Sequence, residues 1–273
     1  MRKFTYLLLL LFLILGCQSV PSSKSVVTVS ATPLRLMIEP LLPPTHYIVT
    51  ITPENVEPHH FEPTLQDRDK IENSELFIYY GYELDEWANR LTPKNSILRL
   101  SSRQEGGHGW LNPNEARVLT NTVIEKLSHQ TSFNKAEILK RGEEQIHNLE
   151  SLDESYRQGL RTCQSHRVIV AHSGLEGLGR AYGFEPVALQ GGGHDEEPTL
   201  AQLDKVISLI KSEKITALLD DGSISAQAIK TLVDQTGVMI LPFSSMERSA
   251  KNDTYISILE ANLVALRRAM GCQ

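Results

Sequence analysis

Eight short apolar runs, separated by stretches with helical spacing, constrain the fold of this chain more than any other feature. Four lie in the first half and four in the second, at 26–31, 46–51, 75–80, 96–100, 167–171, 186–189, 215–220 and 238–243. Strands that alternate with helices are typical of parallel sheets covered by helices. The pattern therefore predicts an α/β protein, and the roughly 250 residues after residue 25 are enough for two modest lobes or one large domain.

The middle of the chain differs from both halves. Residues 134–161 contain no strand pattern and no proline, and apolar side chains recur there near helical spacing at Ile138, Ile146, Leu149 and Leu152. This predicts one long amphipathic helix, although Gly142 lowers its helix propensity. We expect it to join an N-terminal α/β lobe (26–133) to a C-terminal α/β lobe (162–273).

Two helix starts carry clear capping signals. Asn112 precedes Pro113 at the first helical position, and Thr199 is followed three residues later by Gln202. Both patterns are typical of helix N-termini.

The N-terminus has the form of an export signal. A basic start is followed by an apolar run at 7–15, then Gly16 and Cys17. The run is too short for an ordinary transmembrane helix of about 20 residues. The ending I-L-G-C resembles a bacterial lipobox, which predicts a signal peptide (1–16), lipidation of Cys17 and a polar tether (17–25). The alternative is a plain signal peptide. We expect an exported protein, lipid-anchored to the membrane and facing the periplasm or cell exterior.

Charge and cysteine content narrow the class further. The net charge is −6 without basic clusters, which argues against a nucleic-acid partner. If Cys17 carries lipid, Cys163 and Cys272 remain in an oxidising compartment, where a disulfide is expected. Two buried free thiols are the alternative.

Three histidines follow predicted strands: His59 after 46–51, His108 after 96–100 and His172 after 167–171. Ligands of open α/β sheets bind outside the carboxyl ends of the strands, so these imidazoles could converge between the lobes. Imidazole is the commonest metal ligand, which predicts a metal site. In EPHHFEP (57–63), His59 and His60 are adjacent. On an extended backbone, adjacent side chains point in opposite directions, so a single metal site would use only one of these two histidines. Position alone does not choose between them.

Four segments in order carry a family resemblance: PHHFEP (58–63), HGWLNP (108–113), AHSGLEGLGRAYGF (171–184) and EPTLAQL (197–203). Over residues 26–270 the chain resembles the zinc/manganese family of ABC-transporter solute-binding proteins. The resemblance implies two α/β lobes joined by one long rigid helix, with a buried metal in the cleft between them. It also implies metal ligands at His59, His108 and His172, an ABC permease as partner, no enzymatic activity and a monomer.

The fourth ligand departs from the family pattern. An aspartate usually follows the last strand, but here LPFSSM (241–246) places Ser244 at that position. The candidates for the fourth ligand are water, Glu197, Asp220 and His60. Three histidines without an obvious carboxylate favour Zn²⁺, with Mn²⁺ or Fe²⁺ as the second choice.

Three further interpretations of the sequence concern the loop at 190–198 and the function of the protein. The segment QGGGHDEEP (190–198) could contact a passing cation, although a solvated turn is the favoured interpretation. A zinc hydrolase would also use three histidines, but no HExxH-type motif supplies a base. A degenerate metal-binding or adhesive lipoprotein is the third possibility.

Overall fold

The computed structural model describes residues 25–273 except 55, 83, 92, 101–107, 191–196 and 248–252. The described strands form two four-stranded parallel sheets. The first has the order β2-β1-β3-β4 and the second β6-β5-β7-β8. Their bounds are β1 (Ser25–Val29), β2 (His46–Thr50), β3 (Leu76–Tyr79), β4 (Ser96–Arg99), β5 (Arg167–Val170), β6 (Glu185–Ala188), β7 (Ala217–Asp220) and β8 (Met239–Pro242). The predicted fold class, two α/β lobes with parallel sheets, is confirmed.

Helices connect the strands and cover the sheets. They are α1 (Thr32–Ile38), α2 (Leu65–Glu72), α3 (Pro113–Ser128), α4 (Lys135–Gly159), α5 (Glu176–Tyr182), α6 (Leu200–Glu213), α7 (Ala226–Thr236) and α8 (Tyr255–Met270). Shorter 3₁₀ segments lie at Glu39–Leu41, Glu86–Arg90 and Gly109–Leu111. Since helices cover them, central strands such as β3 are buried along their whole length, which explains their unbroken apolar sequence.

The long helix α4 lies between the two sheets in chain order and packs on α3 and α8. Gly142 does not interrupt it. A Cβ atom there would lie 2.6 Å from Cδ1 of Ile124, so the glycine allows the close approach of α3. One buried apolar cluster includes Val27 of the first sheet, Leu149 of α4 and Val168 of the second sheet. The two lobes therefore share a core.

Local capping explains where several helices begin. Thr199 and Gln202 form the predicted capping box, and Thr64 with Asp67 forms another at the start of α2. Each box belongs to a segment EPTL, at 62–65 and 197–200. Asn112 caps α3 by accepting a hydrogen bond from the Asn114 N–H.

The C-terminus is fastened to the loop after α4. Cys163 and Cys272 form a disulfide, and Gln164 and Ser165 donate backbone hydrogen bonds to the Met270 carbonyl at 3.1 and 3.0 Å. The predicted signal peptide and Cys17 lie outside the described residues. Within the described part of the chain, no helix has the length and apolar character needed to cross a bilayer.

Candidate metal site

His59 lies in the loop that follows β2. The carboxylate of Glu57 accepts hydrogen bonds from the backbone N–H groups of His59 and His60, at 3.1 and 3.0 Å. This cap fixes the loop so that the His59 side chain is buried and His60 is exposed. The two neighbouring rings therefore have different environments, and His59 is the one that faces the other candidate ligands.

His108 precedes the 3₁₀ segment Gly109–Leu111 and is buried. The hydroxyl of Tyr80 accepts a hydrogen bond from the Gly109 N–H at 3.2 Å, and the ring of Trp110 lies 4.7 Å from the His108 ring. The backbone of Gly174, at φ 135°, also packs closely against the imidazole. His108 is thereby fixed by contacts from both lobes.

His172 follows β5 and pairs with Asp221, which follows β7. Their Nδ1 and Oδ2 atoms are 3.0 Å apart. Burial lowers the pKa of His172, but the hydrogen bond and charge of Asp221 outweigh it and the pKa is raised. Burial likewise opposes ionisation of Asp221, yet His172 holds its pKa at about 2. The carboxylate holds the proton on Nδ1, so Nε2 is the nitrogen that can bind a metal.

Glu247 completes the cluster, and no pattern in the sequence pointed to it. Its Oε1 lies 2.9 Å from Nε2 of His59 and 2.6 Å from Nε2 of His108, and its Oε2 lies 3.8 Å from Nε2 of His172. The side chain is buried. Burial raises its pKa, but the charge and hydrogen bonds of His108 and His59 hold the pKa well below the ordinary value.

The sequence candidates for the fourth ligand lie in other environments. Glu197 accepts a hydrogen bond from the Ser225 hydroxyl at 2.7 Å, and Asp220 accepts one from the Gly222 N–H at 3.0 Å. Ser244 directs its hydroxyl to the Met246 N–H. Glu247 lies three residues beyond Ser244, so a search for a carboxylate near the expected aspartate position would have identified it. His194, Asp195 and Glu196 of the 190–198 segment lie outside the described residues.

Two groups of donor atoms among the described residues could hold a metal ion, and they overlap at Glu247. One contains His59, His108 and Glu247, and the other contains His172, Asp221 and Glu247. The two histidines of the first group belong to the N-terminal lobe, whereas all three residues of the second group belong to the C-terminal lobe. A cation bound at Glu247 would therefore be held by both lobes.

These observations define the class: a two-lobed α/β protein with a histidine–carboxylate cluster at the carboxyl ends of both sheets. Residues 27–269 match the model of a family described as zinc-uptake complex component A, periplasmic. The chain belongs to this family.

Relatives and solved structures agree with this assignment. The zinc-binding lipoprotein AdcA of Streptococcus pneumoniae is 26% identical over 245 residues, which are 78% of this chain and 49% of that protein. The chain thus spans about half the length of this relative. The high-affinity zinc uptake system protein ZnuA of Bacillus subtilis is 24% identical over 253 residues, 81% of this chain and 79% of that one. The crystal structure of the metal-dependent lipoprotein YcdH of B. subtilis superposes with a TM-score of 0.81 at 23% identity, covering 90% of this chain and 100% of that chain.

Proposed function

We propose that this chain is an extracytoplasmic solute-binding protein that captures a divalent metal ion, Zn²⁺ ahead of Mn²⁺ or Fe²⁺, and delivers it to an ABC permease. One observation carries the proposal: the Nε2 atoms of His59, His108 and His172 all face the buried carboxylate of Glu247, at 2.9, 2.6 and 3.8 Å. The relatives named as zinc-binding and zinc-uptake proteins support the same cargo.

The donor set favours zinc. Zn²⁺ accepts imidazole nitrogen and carboxylate oxygen in a tetrahedral arrangement, whereas Mn²⁺ prefers sites richer in oxygen. His59, His108 and His172 would supply three nitrogens and Glu247 one oxygen. Asp221 would orient His172 through Nδ1 rather than bind the metal, because ligating histidines commonly donate their second N–H to a carboxylate.

Capture suits the geometry better than catalysis. A catalytic zinc keeps one coordination position open for water or substrate, whereas four protein ligands close the set. Here His59, His108, His172 and Glu247 would provide all four, and each of these side chains is buried. We therefore assign the site a binding role and no enzymatic one.

Export and anchoring follow from the N-terminal sequence. The relative from S. pneumoniae is named a lipoprotein, and the I-L-G-C segment of this chain would place a lipid on Cys17. The mature protein would then be held at the outer face of the membrane as a monomer, beside the permease that receives the metal.

A competitive zinc titration of His59→Ala and His60→Ala tests the proposal. His59→Ala should lower zinc affinity by more than about a hundredfold, because losing a ligand costs more than losing a residue that only orients one. His60→Ala is the matched control, since its ring is exposed, and its affinity should equal that of the wild type. Equal losses in both variants, or a wild-type protein that binds zinc without one-to-one stoichiometry, would overturn the proposal.

A further inference from the structure

We propose that Asn262 of α8 is a positioning residue of the metal site: its side-chain amide fixes the peptide of Ser244 and thereby aims Glu247 at the three imidazoles. This inference rests on the proposed role of Glu247 as a ligand. Asn262 lies 15 positions beyond Glu247 in sequence, and no motif pointed to it.

The segment that carries Glu247 leaves the sheet at its edge. The Phe243 N–H donates to the Asp220 carbonyl at 2.9 Å, which is the last bond to β7. The next residue, Ser244, pairs with the side chain of Asn262. Its Oδ1 accepts the Ser244 N–H and its Nδ2 donates to the Ser244 carbonyl, both at 2.9 Å. One side chain thus makes the pair of bonds that a neighbouring strand would make.

The hydrogen bonds at position 262 require an asparagine rather than an apolar residue. The side chain is 2% exposed, and its neighbours on the same face of α8 are apolar, Leu259 and Leu266. Packing alone would favour an apolar residue there, because a buried amide is costly unless its donor and acceptor are both satisfied. Asparagine offers one acceptor and a donor in a single plane, and Ser244 satisfies both.

The turn from Ser244 to Glu247 depends on this fixed starting point. The Ser244 hydroxyl accepts the Met246 N–H at 3.2 Å, and Met246 adopts φ 65°, a left-handed conformation that is rare for a residue with a side chain. Such a conformation persists only where the surroundings hold it. The Trp110 indole of the other lobe donates to the Ser245 carbonyl at 2.9 Å. Asn262 provides the corresponding anchor from the lobe to which Glu247 belongs.

The first test compares Asn262→Leu with Leu266→Ala, a control one turn further along α8. Asn262→Leu should lower zinc affinity ten- to hundredfold, about the effect of losing a residue that orients a ligand. Leu266→Ala should lower the melting temperature but leave zinc affinity within about twofold, because the Leu266 side chain packs in the core and forms no hydrogen bond with the segment that carries Glu247. The visible absorption of the Co²⁺-loaded protein should change in Asn262→Leu as it does in Glu247→Ala, and stay unchanged in Leu266→Ala.

A double-mutant cycle separates positioning from general destabilisation. If Asn262 acts through Glu247, then Asn262→Leu should cause no further loss of zinc affinity in a Glu247→Ala background. The same loss in both backgrounds, or wild-type affinity in Asn262→Leu, would overturn the inference. Unchanged affinity in Glu247→Ala alone would instead remove the ligand assignment on which it rests.

A second substitution covers the case in which Asn262→Leu does not fold. Asn262→Asp keeps the acceptor for the Ser244 N–H and places an oxygen against the Ser244 carbonyl, so zinc affinity should fall by about tenfold or more. Wild-type affinity and an unchanged Co²⁺ spectrum in this variant would contradict the inference equally.

Discussion

Glu247 carries its charge where an isolated carboxylate would not remain ionised. Burial opposes the charge, yet His108 and His59 hold the pKa of Glu247 well below its ordinary value. The carboxylate therefore stays negative among the imidazoles. A site of this kind can bind protons or a metal ion at the same atoms, so a cation bound there would replace protons.

Gly174 provides a test of how closely the site is packed. A Cβ atom at this position would lie 2.3 Å from Nδ1 of His108, and its φ of 135° is unfavourable for any other residue. Gly174→Ala should displace the imidazole and lower zinc affinity at least about tenfold, with a loss of about 1–3 kcal/mol in the free energy of unfolding. Zinc titration and denaturant unfolding measure both effects.

Gly183→Ala is the control for backbone strain alone. Its φ is 81° and a Cβ atom there would meet nothing within 4 Å. It should lower stability by about 1 kcal/mol without changing zinc affinity. If Gly174→Ala behaved like this control, the close packing of Gly174 on His108 would have no consequence for binding.

The residues of the site differ in how far the sequence reveals them. The sequence predicts His59, His108 and His172 as ligands because each follows a strand, and strand ends meet at one edge of a parallel sheet. The sequence does not predict the proposed ligand Glu247, because the direction of its side chain depends on the left-handed turn at Met246 and on a contact with α8. A local pattern does not encode either feature.

At the scale of elements, local signals were sufficient for most of the fold. Each predicted strand exists, with ends shifted by one or two residues. The pattern is clearest for central strands such as β3, because buried parallel strands are short and strongly apolar. The predicted start of α6 is confirmed by the capping box of Thr199 and Gln202. Gly142 reduced the expected continuity of α4, but its packing against Ile124 outweighs its low propensity.

The capping box of α2 predicts a dependence of stability on pH. Burial opposes the charge of Asp67, but Lys70 and Thr64 lower its pKa below the ordinary value. A depressed pKa means that Asp67 stabilises the fold above the pKa of the unfolded state, about 4, and that this contribution is lost as pH falls through the folded-state pKa. Asp67→Asn should therefore lower stability by about 1 kcal/mol at pH 7, and the difference from wild type should shrink below about pH 4.

The equivalent position in α6 offers a control. Gln202 forms the same box with Thr199 but carries no charge. Thermal melting of Gln202→Ala should show a loss that does not depend on pH in the same range. A pH-independent deficit in Asp67→Asn would show that its ionisation contributes nothing.

At the scale of the whole molecule, the two lobes repeat one topology. Both sheets follow the same strand order, and both direct their carboxyl ends to the cluster around Glu247. The shared core through α4 holds these ends together. The family resemblance implied this arrangement, whereas strand patterns alone indicated only that a cleft between lobes was available. The relative placement of the lobes depends on contacts distant in sequence, such as that of Trp110 with Ser245.

The disulfide is expected to stabilise the protein without serving the site. Cys163 and Cys272 are 109 residues apart in sequence, and they lie at the amino end of β5, away from the strand ends that carry the histidines. Replacing both cysteines with serine should lower the free energy of unfolding by about 2–5 kcal/mol, because closure of a long loop restricts the unfolded chain. Denaturant unfolding measures this loss, and zinc affinity should be unchanged. If zinc affinity also fell, the disulfide would be shown to influence the metal site.

X-ray absorption at the zinc K-edge, on protein loaded with one equivalent of Zn²⁺, tests the central claim most directly. The assignment of His59, His108, His172 and Glu247 predicts a four-coordinate zinc with three imidazole nitrogens and one carboxylate oxygen, about 2.0–2.2 Å from the metal. Glu247→Gln should reduce affinity while the three imidazoles remain. A spectrum with two or fewer imidazoles, or with an oxygen-only shell, would contradict the assignment.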